Sequence, residues 1–163
     1  AALLEKNNAN MAQKFDVREP LEVGRFKIRD YHAEDRILTL PEVFIHSSNI
    51  GSALMGQEVG TDYIKNFYAD LGLLDTPEFE IKEMGKPLVP KPWREINTLT
   101  ASYGHGIAVS PLQLVKATAS IMNGGVLVNP TLIKNPSKIN LSAGKPDALN
   151  AAIAAHAPGT GIT

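Results

Sequence analysis

No cysteine occurs among the 163 residues, which excludes disulfide frameworks, thiolate nucleophiles and cysteine-ligated zinc. No apolar run approaches the roughly 18 to 20 residues that cross a bilayer, and no basic-then-apolar leader opens the chain. Neither charge is in excess. The 16 basic and 17 acidic side chains leave a net charge of -1 and no basic stripe to concentrate phosphate, so nucleic acid is not expected as a partner. The four histidines, His32, His46, His105 and His156, lack ligand spacing, so no metal is expected. What remains is 44% hydrophobic side chains, the composition of an ordinary soluble globular domain or of an excised part of a larger fold.

Local signals divide the chain. AALLEKNN at residues 1–8 reads as the end of a helix. FDVREPLEVGRFKI, residues 15–28, alternates β-formers with charges around Gly24 and predicts two short strands with a turn there. Thr39 and Glu42 form a capping box that opens a short helix, with Leu40, Val43 and Phe44 inward. Helical spacing from these residues carries Ser47 onto the same inward stripe. Ser48 and Asn49 then cap a second helix carrying Ile50, Ala53 and Leu54. A third opens at Gly60 or Thr61 and presents Tyr63, Ile64, Phe67, Tyr68 and Leu71 before stopping at Gly72.

Between Asp75 and Trp93, Pro77, Pro87, Pro90, Pro92 and Gly85 predict a surface excursion with at most a short strand near Ile81. Ser110, Pro111 and Gln113 open the best-marked helix, which Asn123, Gly124 and Gly125 end. Leu112, Val115, Ala119 and Met122 are expected to face inward. VLVNPTLI follows as a buried strand interrupted by Pro130, and an Ala-rich helix is expected from Asp147 to Ala157 before Pro158 and Gly159.

One arrangement carries chemistry. At the junction of two helices, Ser47 and Asn49 place a hydroxyl and a carboxamide two residues apart, able to enter a common cavity. The plainer alternative is that Ser48 or Asn49 only caps the second helix. Context weighs on this choice. The segments VGRFKIRDYH, LTLPEVFIHSSNIGSALMGQEVG and TASYGHGIAVSPLQLVKATASIMNGGVLVNPTL, with a Trp-containing stretch before the last, resemble class B penicillin-binding proteins in content and order, from about Gly24 to Pro130. The likeness is to the septal, cell-division type.

The resemblance implies an α+β transpeptidase fold of the penicillin-binding protein/β-lactamase kind, mainly its helical lobe with few strands. Residues 1–163 would be a partial transpeptidase domain with a poorly matched tail at 136–163. It implies a D,D-transpeptidase that cross-links cell-wall peptides through an acyl-serine. Its partners would be the peptidoglycan stem peptide ending in D-Ala-D-Ala, β-lactams in the complete domain, and cell-division proteins. No cofactor is needed. The place of action would be the periplasmic face of the bacterial inner membrane, with the parent anchored by an N-terminal transmembrane helix outside this chain.

That family brings together SxxK, SxN and KTG. By resemblance Ser47 joins a proton relay with the two motif lysines and is not itself acylated. Asn49 bonds the SxxK lysine and the substrate's amide oxygen. The nucleophilic serine and general-base lysine of SxxK are expected upstream of residue 1, and KTG is also missing, so the chain alone is expected to be inactive. Gly159, Thr160 and Gly161 resemble the GTG that precedes KTG. Tyr103, Gly104, His105 and Gly106 resemble a YGQG stretch, read as a glycine turn setting the next helix in preference to a catalytic histidine. His46 reads as a helix-end cap partner and Trp93 as a packing anchor. The alternatives are a non-catalytic scaffold on the same fold, or a D,D-carboxypeptidase or β-lactamase-like hydrolase.

Overall fold

The computed structural model describes residues 1–7, 10–81 and 83–132, within which six helices and four strands of three residues each give an α+β architecture dominated by helix. In chain order these are α1 (Ala2–Asn7), β1 (Lys14–Asp16), β2 (Leu21–Val23), β3 (Phe26–Ile28), β4 (Ile37–Thr39), α2 (Leu40–Ile45), α3 (Asn49–Val59), α4 (Thr61–Asp70), α5 (Glu95–Ser102) and α6 (Pro111–Met122). The described residues divide into two compact units, one within 2–65 and 89–107, the other of Ala1 with those within 66–88 and 108–132.

In the first unit, β2 and β3 form the expected hairpin across Gly24, whose φ of 57° suits a residue without a Cβ. A second antiparallel pair, β1 with β4, sets Phe15 opposite Leu38, and both side chains are buried. This pair was not foreseen, because three residues are too few for alternation to register. The core adds Val43, Ile50, Ala53, Val59 and Leu99. Here α3 and α5 pack through small residues. A Cβ at Gly56 would collide with the Ser102 side chain, lying 3.0 Å from its Cβ. Trp93 is an anchor, as expected: its Nε1 donates to Thr98 Oγ1 (2.8 Å), which in turn lies 3.1 Å from Thr61 Oγ1.

The second unit is organised by Gln113. Fully buried on α6, it closes the capping box by accepting from the Ser110 amide (2.9 Å), while its Nε2 lies 2.9 Å from the Asp75 carbonyl and 3.2 Å from those of Gly72 and Leu73. A side chain bonded to these carbonyls must point inward, and that sets the rotation of the helix. The buried face of α6 is therefore Gln113, Ala117 and Ser120. The apolar face expected from Leu112, Val115, Ala119 and Met122 is not the buried one: Val115 and Met122 are 64% and 80% exposed.

The proline-rich excursion holds no strand among its described residues, within the expected limit of at most a short one, and bridges Ala108 through Leu88. One other expectation is corrected. Residues 126–132 form no strand, with Pro130 unable to donate to a ladder. The helix expected at 147–157 lies outside the described residues, as does the Gly159 to Gly161 stretch. Among the described residues no helix is long and apolar enough to cross a membrane.

The α3–α5 contact yields a stability prediction. Gly56→Ala gains helix propensity of up to about 1 kcal/mol but overpacks the crossing by about 1–3 kcal/mol. With the full propensity gain, urea unfolding should therefore show net destabilisation of up to about 2 kcal/mol. A stabilised variant would mean that the two helices do not pack this closely.

Candidate active site

The Ser47 to Asn49 segment is set from both sides by short-range hydrogen bonds. On the α2 side, Glu42 Oε2 accepts from the Thr39 amide (2.8 Å) and hydroxyl (2.7 Å), and Oε1 pairs with Arg36 Nη1 (2.7 Å). These donors, the Thr39 amide first, hold the Glu42 carboxyl down at a pKa of about 2. His46 follows as the C-cap of α2, its Nδ1 2.8 Å from Glu34 Oε1 and its Nε2 3.2 Å from Arg36 Nη2. With the proton on Nδ1, both contacts are hydrogen bonds and the ring is fixed between a carboxylate and a guanidinium. His46 is thus a helix-end cap partner, as its position predicted.

The turn itself is a Schellman motif. The Ser47 amide bonds the Phe44 carbonyl (3.2 Å), and the Ser48 amide bonds the Val43 carbonyl (3.0 Å). This geometry puts Ser47 in the left-handed region at φ 53°, where glycine is usual and an L-residue pays about 1–2 kcal/mol. The motif ends α2 after six residues, so the helical spacing that would have carried Ser47 inward stops short of it. Ser47 is exposed, and so is Phe44 at 87%; of the α2 residues only Val43 is buried.

Ser48 takes the inward place. It is 2% exposed and is the N-cap of α3, its Oγ accepting from the Gly51 amide (2.9 Å) and donating to Asp30 Oδ2 (2.7 Å). Asp30 Oδ1 accepts from the Ile50 amide (2.8 Å), so the carboxylate and the serine together satisfy the first turn of α3. The capping alternative therefore holds for Ser48. Asn49 is half-buried, with Nδ2 donating to the Arg29 carbonyl at 2.9 Å. Gly51 lets this turn close: a Cβ there would stand 2.6 and 2.7 Å from the two Val43 methyls.

Sequence reasoning missed Asp30 altogether. It lies 18 residues before Ser48, and no local pattern marks it; the only hint is that a buried serine needs a second partner. His105 is exposed in a turn whose glycines, Gly104 and Gly106, have φ of 87° and 84°, as the bracketing predicted. No SxxK stands ahead of the SxN, but a literal one occurs behind it at Ser142 to Lys145, outside the described residues and out of the family's order. No cluster of metal-binding side chains occurs among the described residues.

Comparison with known proteins extends the likeness beyond residues 24–130. A family model described as the penicillin binding protein transpeptidase domain matches residues 1–155. The chain is 39% identical over 133 residues to a protein of Caulobacter vibrioides named probable peptidoglycan D,D-transpeptidase FtsI, covering 82% of this chain and 23% of that protein. It is 26% identical over 138 residues to stage V sporulation protein D of Bacillus subtilis, covering 82% and 21%. The transpeptidase domain of Burkholderia pseudomallei penicillin-binding protein 3 superposes with a TM-score of 0.80 at 24% identity, over 93% of this chain and 46% of that one. The fold is therefore that of penicillin-binding transpeptidase domains, and the chain spans less than a quarter of the curated relatives it matches.

The Glu42 cap has a pH signature. Its carboxyl lies near 2 when folded, against an ordinary 4.5, so its contribution is complete above pH 4.5 and is lost as the pH falls through about 2. The stability difference between the native protein and Glu42→Gln, followed by denaturant unfolding, should shrink across that window. A difference that stays constant would remove the cap from the turn's support.

Proposed function

The chain belongs to the transpeptidase domain family of penicillin-binding proteins, and on that premise we propose that it supplies the SxN wall of a serine D,D-transpeptidase site. The substrate is a peptidoglycan stem peptide ending in D-Ala-D-Ala, with β-lactams as its mimics, and the site works at the outer face of the bacterial inner membrane. A serine and two lysines from beyond this wall complete it.

A serine hydroxyl is a weak nucleophile near neutral pH and must lose its proton as it attacks the carbonyl between the two D-alanines. The C–N bond then breaks, and the departing D-Ala amine takes a proton. Ser47 carries that proton by accepting one from a neighbouring group while donating its own, ending as it began. Asn49 has two N–H donors and one acceptor. One N–H is held by the Arg29 carbonyl, leaving the other for the substrate's amide oxygen and Oδ1 for a lysine.

The observation that carries this reading is the left-handed backbone of an exposed Ser47. Glycine would sit there without strain, and a strained non-glycine residue at a turn is the pattern of a side chain kept for use. Substitution in the complete transpeptidase domain that contains this chain, read with a fluorescent penicillin, tests it. Ser47→Gly should be more resistant to unfolding by about 0.5–1 kcal/mol and yet acylate at least about 100-fold more slowly. Acylation at the native rate would reduce Ser47 to a helix terminus.

A further inference from the structure

The dipeptide that follows β3 reaches three consecutive residues of the SxN turn. Asp30 holds the Ser48 hydroxyl (2.7 Å) and the Ile50 amide (2.8 Å), and the Arg29 carbonyl between β3 and Asp30 holds the Asn49 carboxamide (2.9 Å). The clamp is rooted in the core, because Ile28, the last residue of β3, is 5% exposed. Its grip is charge-assisted, an ionised carboxylate being a stronger acceptor than a neutral oxygen. It is also specific in direction. Ser48 Oγ accepts from the Gly51 amide, so its proton is free for Asp30, and the buried hydroxyl can satisfy both partners only in this rotamer.

Ser47 and Asn49 flank the residue so fixed. On its other side Ser47 is tied to α2 only through backbone bonds and through His46, which Glu34 and Arg36 hold. We propose that Asp30 is a positioning residue of the transpeptidase site: by bonding Ser48 and Ile50 it fixes the start of α3, and so aims the Asn49 carboxamide. This rests on the acyl-transfer reading of Ser47 and Asn49. Asp30 touches no substrate. It acts through the turn, so its effect belongs in the rate of acylation and not in the capture of penicillin.

The experiment uses the complete transpeptidase domain that contains this chain and a fluorescent penicillin, with the limiting acylation rate and the half-saturating concentration measured separately. Amide hydrogen exchange at Ile50 is followed in the same proteins. Asp30→Ala should lower the limiting rate at least about tenfold, change half-saturation by less than about threefold, and speed Ile50 exchange. In an Asn49→Ala background the same substitution should cost less than about twofold, because the group it aims is gone. A purely structural role would cost the same in both backgrounds. Should Asp30→Ala fail to fold, Asp30→Asn keeps an acceptor for Ile50 and is expected to show the same pattern with a smaller loss.

A native limiting rate in a variant whose Ile50 exchange has accelerated would overturn the proposal, as would unchanged Ile50 exchange. If the native protein forms no penicillin adduct, the acyl-transfer reading fails on its own. The Ile50 exchange then still decides whether Asp30 holds the turn.

Discussion

Two helices meet between residues 45 and 49 with almost no linker, and the free amides and carbonyls of both ends must be satisfied within that turn. The carbonyls of Val43 and Phe44 take the amides of Ser48 and Ser47, while the amides of Gly51 and Ile50 go to Ser48 Oγ and Asp30. Each of the three residues is committed by this sharing. Ser47 must turn left-handed to end α2, Ser48 must point inward to begin α3, and Asn49 falls on the first turn of α3 with its side-chain Nδ2 donating to the Arg29 carbonyl. What an isolated sequence shows as a short polar run is a backbone junction with one solution.

The surroundings serve that junction. Thr39 and Glu42 start α2 so that it is only six residues long, and Arg36 and Glu34 reach past it to hold His46. Gly51 brings α3 against Val43, and Gly56 brings the same helix against Ser102 on α5. Small residues on α3 thus fix the depth at which the helix lies, and its first turn carries Asn49 with it. The Glu42 and His46 contacts lie among exposed and half-buried side chains, whereas Ser48 itself is buried. The buried bonds therefore bear most of the positional burden, since unmade hydrogen bonds cost most where water cannot replace them.

Features encoded within four residues were legible in the sequence. The Thr39–Glu42 and Ser110–Gln113 boxes, the Gly24 hairpin and the glycine turn at Tyr103 to Gly106 all fell where local chemistry put them. What failed was direction. Apolar residues on α6 suggested an inward face, but one glutamine bonded to three carbonyls about 40 residues away turned the helix. Phe44 and Ser47 were placed inward by helical period, which a six-residue helix closed by a Schellman turn does not sustain. Asp30 could not be read at all, because its partners are 18 and 20 residues distant and nothing in the intervening chain marks the pairing.

On the proposed reading, the turn presents the Ser47 hydroxyl and the Asn49 carboxamide to a reacting serine that is neither Ser47 nor Ser48. The most direct test is to treat the complete transpeptidase domain that contains this chain with penicillin and map by peptide mass spectrometry which serine carries the penicilloyl group. If Ser47 moves a proton and does not take the acyl group, the adduct will lie on another serine and both Ser47 and Ser48 will be unmodified. A stable adduct on Ser47 would contradict that division of labour.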